Sequence, residues 1–415
     1  MNISIKSLSV LHISSILSVS KHHYSSFVTV EKLNSQKLWL FSLMFQSFGS
    51  CINIRKSIFS HSLFSQIVVN NEYFSGFKSP ISVNGTKERI TIDQCMFSSI
   101  FSSNQCGSAI MVNSSESILS ITNSFFNNCS SSDSAGAISA LCLSLNIDHS
   151  CLYQCFTQNR GNAAILICSS PFFDNKLGFS TILGCSGYER MVGMDSFTMF
   201  SGNQRIVQSN FSNNYCSPLK HNIGGPCFDS SFSFFASFDT IYNSTGISVL
   251  MASNCQSGCI EFSNFAKNNA YFGLISLKLV FTSTLNGCYF YDNSGSIFLL
   301  VNSSNMLINC ESNMDISIEY MDNRNVLRGK FGFNTLTIEH LNSAECRFKT
   351  ESVPNYILSK ELFYGIGAFC LGFVIAIIGL YCRKAINNTR VLTPQEERIL
   401  EMLNQVPDVE ETETN

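Results

Sequence analysis

Apolar residues in this chain come in short bursts between Ser- and Asn-rich breaks, and one burst keeps returning in the same form. An aliphatic residue is followed by Ser or Cys three positions on, and by an aromatic residue or Leu five positions on. The instances are Ile92/Cys95/Phe97, Ile121/Ser124/Phe126, Ile147/Ser150/Leu152, Ile206/Ser209/Phe211, Ile260/Ser263/Phe265 and Leu285/Cys288/Phe290. Their starts lie 29, 26, 59, 54 and 25 residues apart, so the two long gaps each hold two units. A period of about 25–30 residues marks stacked repeats, in which each unit buries its apolar face against its neighbours.

The pattern within a unit predicts strands broken by corners. Ile90 and Ile92 share one parity and Cys95 and Phe97 the other. Side chains alternate along a strand, so the phase change between 92 and 95 demands a bend. A second apolar stretch at 109–112 returns at 137–141, 163–167, 274–277 and 296–301, with Ser/Asn/Gly breaks between. Two or three short strands per unit make a coil of parallel β-helix. A leucine-rich repeat would need a Leu ladder and a helical repeat a 3.6-residue period, and neither is present. About ten coils between residues 50 and 345, at the strand spacing of ~4.8 Å, give a rod of about 50 Å. Phe97, Phe126, Leu152, Phe211, Phe265 and Phe290 are expected to pile into an internal ladder that stabilises it.

Residues 362–382, LFYGIGAFCLGFVIAIIGLYC, break this rhythm: the stretch holds no charge. As a helix it spans about 30 Å, the thickness of a bilayer's hydrocarbon core. Tyr364 and Tyr381 sit near its ends, and Arg383, Lys384 and Arg390 follow it. The positive-inside rule then puts the C-terminus in the cytoplasm of a single-pass plasma-membrane protein, with the repeats outside. Gly365, Ala368, Gly372, Ala376 and Gly379 form a small-residue stripe that would admit a span-mediated dimer. The expected division is 1–50, a weak signal or a cap; 51–350, the β-helix ectodomain; 362–382, the transmembrane helix; and 383–415, a cytoplasmic tail. The opening stretch 3–19 is a poor signal, interrupted by Lys6 and His12. In the tail, Thr393 and Pro394 read as N-cap and N1 of a short amphipathic helix carrying Ile399, Leu400, Met402 and Leu403, with a disordered tail ending in the acidic run Asp408 to Glu413 as the other reading.

Composition narrows the partners. Only 13% of the 415 residues are charged, about half the usual share, and the net charge is −3. No basic field exists to draw in nucleic acid. With 45% hydrophobic residues and 36 Phe the chain is not disordered either. Its 18 Cys include no CxxC pair, and the Cx3C spacings Cys151–Cys155 and Cys255–Cys259 fit no common zinc template. Two readings stay open for them: disulfides of an oxidising compartment, or small residues stacked inside the solenoid. Cys95 and Cys288 stand where other units have Ser, which favours stacking at that position.

Candidate chemistry is sparse. Catalysis on a β-helix needs carboxylates clustered on adjacent coils. Asp93 and Asp148 share one slot but in separated coils, a loose column that reads as surface solvation. The seven His are dispersed, and no nucleophile elbow or Gly-rich phosphate loop occurs. No catalytic residue, cofactor or metal site is expected. Sequons at Asn84, Asn113, Asn128, Asn210, Asn243 and Asn302 suit glycosylation of an ectodomain, with Asn113 and Asn302 the favoured positions because they follow apolar strands into turns.

Phe-x-x-Asn recurs as Phe101–Asn104, Phe125–Asn128, Phe156–Asn159, Phe172–Asn175, Phe200–Asn203, Phe211–Asn214, Phe265–Asn268 and Phe290–Asn293, and Ala135-Gly-Ala-Ile138 is close to Gly-Gly-Ala-Ile. Over residues 90–310 this resembles polymorphic outer membrane protein-like surface proteins of the trichomonad type. The resemblance implies a right-handed, pectin-lyase-like parallel β-helix acting as an adhesin or surface antigen. A single apolar span replaces the bacterial autotransporter barrel. The expected function is therefore adhesion or surface recognition of an extracellular protein or glycan, not catalysis. The alternative is a membrane-anchored polysaccharide lyase or hydrolase.

Overall fold

The computed structural model describes residues 2–6, 9–11, 17–20, 27–36, 43–46, 51–60, 67–70, 89–102, 107–132, 135–157, 162–185, 195–216, 223–313, 318–320, 326–328, 331–332 and 398. The chain divides into two compact units, Met1–Phe348 and Lys349–Asn415. Of the second unit only Arg398, which is helical, is described. The span 362–382 and nearly all of the tail thus lie outside the described residues, and among those described no helix is long and apolar enough to cross a membrane.

The first unit is all-β and winds as a parallel solenoid. Three sheets of 13 strands run along it, pairing strands of successive coils; in the third, Thr245–Gly246 is a side strand and the other twelve follow one per coil. We call them A, B and C in the order the chain meets them. Sheet A passes through Arg89–Asp93, Ile118–Thr122, Ser144–Asp148, Asp174–Gly178, Asn203–Val207, Ser233–Ser237, Ser257–Glu261, Thr282–Asn286 and Ser304–Ile308. Sheet B holds the three-residue strands that follow, such as Met96–Ser98 and Phe125–Asn127, and sheet C the second apolar stretches, such as Ile110–Asn113 and Ala135–Cys142. The right-handed winding expected for parallel crossovers fits this order. The two long gaps in the repeat each hold one further coil, since Leu177 pairs between Ile147 and Ile206 and Ala236 between Ile206 and Ile260. The ladders also run through Asn2–Lys6, Phe27–Glu31 and Cys51–Arg55, so the segment 1–50 contributes coil strands of its own.

The expected core ladder is one register column. Phe97, Phe126, Leu152, Ile182, Phe211, Ile241, Phe265 and Phe290 pair in succession, all buried. Its aromatic stacking comes in two runs. Phe59, Phe97 and Phe126 stack at 4.9 and 4.8 Å, and Phe265 on Phe290 at 5.0 Å. Between them aliphatic Leu152, Ile182 and Ile241 carry the column, and Phe211 meets Phe197 of sheet C edge-on at 6.0 Å instead.

The corners explain the small residue at the third position. At the A-to-B corner of the coils from Ile92 to Leu285 one residue each takes a left-handed φ of +46 to +63°: Gln94, Asn123, His149, Phe179, Gln208, Phe238, Phe262 and Gly287. The kink turns the next side chain inward, and that residue is Cys95, Ser124, Ser150, Ser180, Ser209, Asp239, Ser263 or Cys288. The turn also strips its backbone N–H of a strand partner. The N–H of Cys95 donates to Ser124 Oγ (3.2 Å), that of Ser124 to Ser150 Oγ (3.2 Å) and that of Ser150 to Ser180 Oγ (3.1 Å). Each hydroxyl in turn donates to the carbonyl two residues back, as Ser124 Oγ does to Thr122 (2.8 Å). A column of hydroxyls therefore satisfies a column of orphaned amides, each bond worth about 1 kcal/mol net.

A second column stands at the B-to-C corner. There the N–H of Cys185 donates to Asn214 Oδ1 (2.8 Å), that of Ser244 to Asn268 Oδ1 (2.9 Å) and that of Asn268 to Asn293 Oδ1 (2.8 Å). Cys129, Cys155 and Cys185 fill the same column as buried thiols directed at backbone carbonyls. Thirteen of the described cysteines are free thiols and Cys151 is disulfide-bonded. For most of the described set, stacking as small residues is what the structure records.

Candidate functional site

Sheet A turns its outer face to solvent between two corners that carry exposed rings. On the trailing, A-to-B corner, Phe179, Phe238 and Phe262 occupy left-handed positions with roughly half their surface in water. A non-glycine residue pays about 1–2 kcal/mol in that conformation, less for Asn, and an exposed aromatic recovers little of it by burial. The rings stack along the axis: His149 on Phe179 at 4.8 Å, and Phe238 on Phe262 at 5.2 Å. Phe262 lies so close over Gly287 that a Cβ there would sit 2.7 Å from its ring. On the leading, C-to-A corner, Phe172 and Phe281 are each 80% exposed, with Phe173, Phe232 and Leu279 alongside. Asn254, Cys255, Gln256, Leu279 and Phe281 line a shallow pocket on this edge.

Between the corners the outer positions are mostly Ser, Thr and Asn, with one concentrated polar group. Lys176 and Arg205 are register partners, and the Arg205 guanidinium lies 5.5 Å from the ring centre of Phe235 in the next coil. Asp148 Oδ2 pairs with His149 Nδ1 at 3.0 Å. Its other oxygen, Oδ1, is shut from water and has no hydrogen-bond partner. Gly178, the residue paired with Asp148 in the following coil, leaves the space beside that oxygen empty of side chain: a Cβ there would lie 2.7 Å from Oδ1, and the Lys176 stem passes 3.3 Å from the same point.

The acids flagged by sequence do not converge. Asp93 and Asp148 share a register position with Thr122 between them, and Asp93 Oδ1 accepts from Thr122 Oγ1 (2.8 Å) and Asn123 Nδ2 (3.0 Å). The Cx3C pairs separate too: Cys151 starts a sheet B strand while Cys155 lies in the second corner column, and Cys259 is on the outer face while Cys255 is at the leading corner. Among the described residues no three His, Cys, Asp or Glu side chains gather as a metal site. Two carboxyls are pushed up by burial, Asp195 to about 6 and Asp239 well above the usual range. Asp195 is held by Thr198 Oγ1 and the N–H of Ile223 on sheet C, and Asp239 stands in the hydroxyl column. Neither faces the other or the outer surface of sheet A, so no acid–base pair forms.

The sequons sort differently from expectation. Asn84 lies outside the described residues. Asn113 ends a sheet C strand half-buried, and Asn302 is half-buried with its Oδ1 shut from water. Asn210 is 2% exposed in sheet B, its Oδ1 accepting from Ser212 Oγ at 2.6 Å. Asn128 and Asn243 are the exposed ones, both at left-handed positions of the B-to-C corner. Peptide mapping of the chain from a glycosylating host is expected to find glycans at Asn128 and Asn243 and an unmodified Asn210. A glycan at Asn210 would contradict this placement.

The exposed corner rings were not anticipated. A signal existed: Phe179-Ser180, Phe238-Asp239 and Phe262-Ser263 set Phe directly before the column residue, where other coils have Lys, Asn, Gln, His or Gly.

No protein-family model matches the chain, and no curated protein does either. Among solved structures it is similar to the A-module of the mannuronan C-5 epimerase AlgE4 of Azotobacter vinelandii, at 9% identity over 76% of this chain and 91% of that one, with a TM-score of 0.23.

Proposed function

We propose that the chain is a single-pass cell-surface protein whose β-solenoid serves adhesion or surface recognition. The observation that carries this reading is the placement of Phe179, Phe238 and Phe262 in left-handed corners, where they cost stability and remain half in water. Rings kept exposed at such a cost mark a surface that meets a partner. The uncharged stretch 362–382 and the basic cluster after it support anchoring in the plasma membrane with a cytoplasmic C-terminus. The Ser/Asn-rich outer face and the low charge favour an extracellular glycan or protein over nucleic acid.

Labelling of intact cells with an antibody against residues 223–313 tests this. A surface signal that disappears on protease treatment of the intact cells is expected. An epitope reached only after permeabilisation would overturn the reading. The Asp148–His149 pair beside Lys176 favours a second reading, a polysaccharide lyase or hydrolase, because an imidazole oriented by a carboxylate is a competent general base. Release of unsaturated or shortened products from a polysaccharide panel would establish it, and intact substrates would remove it.

A further inference from the structure

On the outer face of sheet A the recess around Asp148 holds a carboxylate oxygen that is both prepared and unused, next to the likewise unpartnered amide oxygen of Asn146, the register partner of Lys176. Asp148 Oδ1 has neither water nor a donor. Leaving a charged acceptor unpaired is expensive, so a donor that reaches this atom recovers free energy the free protein forgoes. Access requires two things, and both are present. Gly178 supplies room where any other residue would place a Cβ, and the cover is the stem of Lys176, a flexible chain that swings away at little cost. Once displaced, the Lys176 ammonium stands at the rim as a donor. His149, held through Nδ1, turns Nε2 outward, and its ring stacks with Phe179 to form an apolar wall.

The charges select the ligand. Lys176 opposes a metal cation at Asp148, and Asp148 opposes a carboxylate or sulfate at Lys176. What fits both is a neutral molecule presenting donors and acceptors side by side together with an apolar C–H flank, which describes a hexose with adjacent hydroxyls. An extended peptide is disfavoured, because Ser144–Asp148 and Asp174–Gly178 each pair with a strand on both sides and offer no free edge. We propose that Asp148, His149, Lys176, Gly178 and Phe179 form a subsite for one neutral sugar unit of a glycan, an inference that rests on the recognition reading above and names its ligand class.

The test titrates the full-length chain with glucan, mannan and galactan oligosaccharides, with a uronate oligomer and a Phe-rich peptide as separate arms. One neutral glycan is expected to bind, and Gly178→Ala and Asp148→Asn are each expected to weaken it at least ten-fold while the melting temperature holds. Phe281→Ser, on the opposite edge, should leave binding unchanged. The proposal is overturned if no neutral glycan binds, if the uronate or the peptide is preferred, or if binding ignores both substitutions. The cell-labelling experiment separates the two claims. A surface signal without sugar binding removes the subsite and leaves recognition standing; sugar binding without a surface signal does the reverse.

Discussion

Replacing Phe97 by Ala is expected to destabilise the solenoid by about 3–5 kcal/mol, the range for a fully buried aromatic truncated in a core that cannot collapse around the gap. The site suits the upper end. Phe97 lies between Phe59 and Phe126 with nearly parallel rings at 4.9 and 4.8 Å, so its loss strips one face from each neighbour as well as leaving a void. Backbone register on either side is held by hydrogen bonds to the coils before and after, which prevents the neighbouring rings from closing the gap. In a stacked repeat each coil touches only its neighbours, so the damage should be local. Amide exchange is expected to accelerate most over residues 89–127 and little over residues 282–300. Phe281→Ser, which removes a ring that is 80% exposed, should shift stability by no more than about 0.5 kcal/mol. If Phe97→Ala cost as little as Phe281→Ser, or loosened both ends of the solenoid equally, the ladder would not be the stabilising element.

The coil was readable because one feature, the phase change between Ile92 and Cys95, has a single structural solution. A strand that must present two successive inward residues of opposite parity needs a kink, and the left-handed Gln94 between them is that kink. Two coils were legible only from the length of the gaps, because their code is written in other letters. Leu177-Ser180-Ile182 and Ala236-Asp239-Ile241 occupy the same columns, but an aliphatic ladder residue and a carboxyl in the hydroxyl slot fall outside the pattern. Ile54-Ser57-Phe59 obeys it and extends the ladder by one coil.

Phe-x-x-Asn was legible but mixed several registers, Phe172–Asn175 and Phe200–Asn203 crossing the C-to-A corner. In Phe211–Asn214, Phe265–Asn268 and Phe290–Asn293 the ring is in the core and the Asn bridges coils from inside. In Phe125–Asn128, one residue earlier, the ring points outward and the Asn takes the exposed left-handed corner. Asn serves both tasks, for its amide hydrogen-bonds backbone and its short side chain tolerates positive φ. Composition cannot tell adjacent positions with such different roles apart. The recess at Asp148 was invisible for a related reason: it is made by residues in different coils, and only the register brings Gly178 beside Asp148.

A stabilising change is expected at Asp239. In its column the neighbouring coils place Ser209 and Ser263, whose hydroxyls accept from the amide of one coil and donate to the carbonyl two residues back. Asp239 reproduces the first bond, taking the N–H of Ser209 on Oδ1 at 2.8 Å, but Oδ2 is buried with no partner. Burial pushes its carboxyl well above the usual range, against the opposing pull of the backbone hydrogen bonds at Ser209 and Ser237. A raised folded-state value means that the group's contribution is fully present below the unfolded value near 4 and is lost as pH rises towards the folded one. At neutral pH the wild type therefore carries the cost of a displaced proton or of a poorly solvated charge. Asp239→Ser restores the column's own chemistry and should raise stability by about 1–2 kcal/mol at pH 7, as repeat-consensus substitutions commonly do. The gain should shrink as pH falls and vanish below the unfolded value, by about pH 3, where the carboxyl is protonated in both states. Denaturant titrations of the two proteins at pH 7 and at about pH 3 measure this difference directly. A gain of equal size at both pH values would mean that shape, not the buried charge, sets the cost of Asp239; a loss at pH 7 would mean that the longer side chain fills space the column needs.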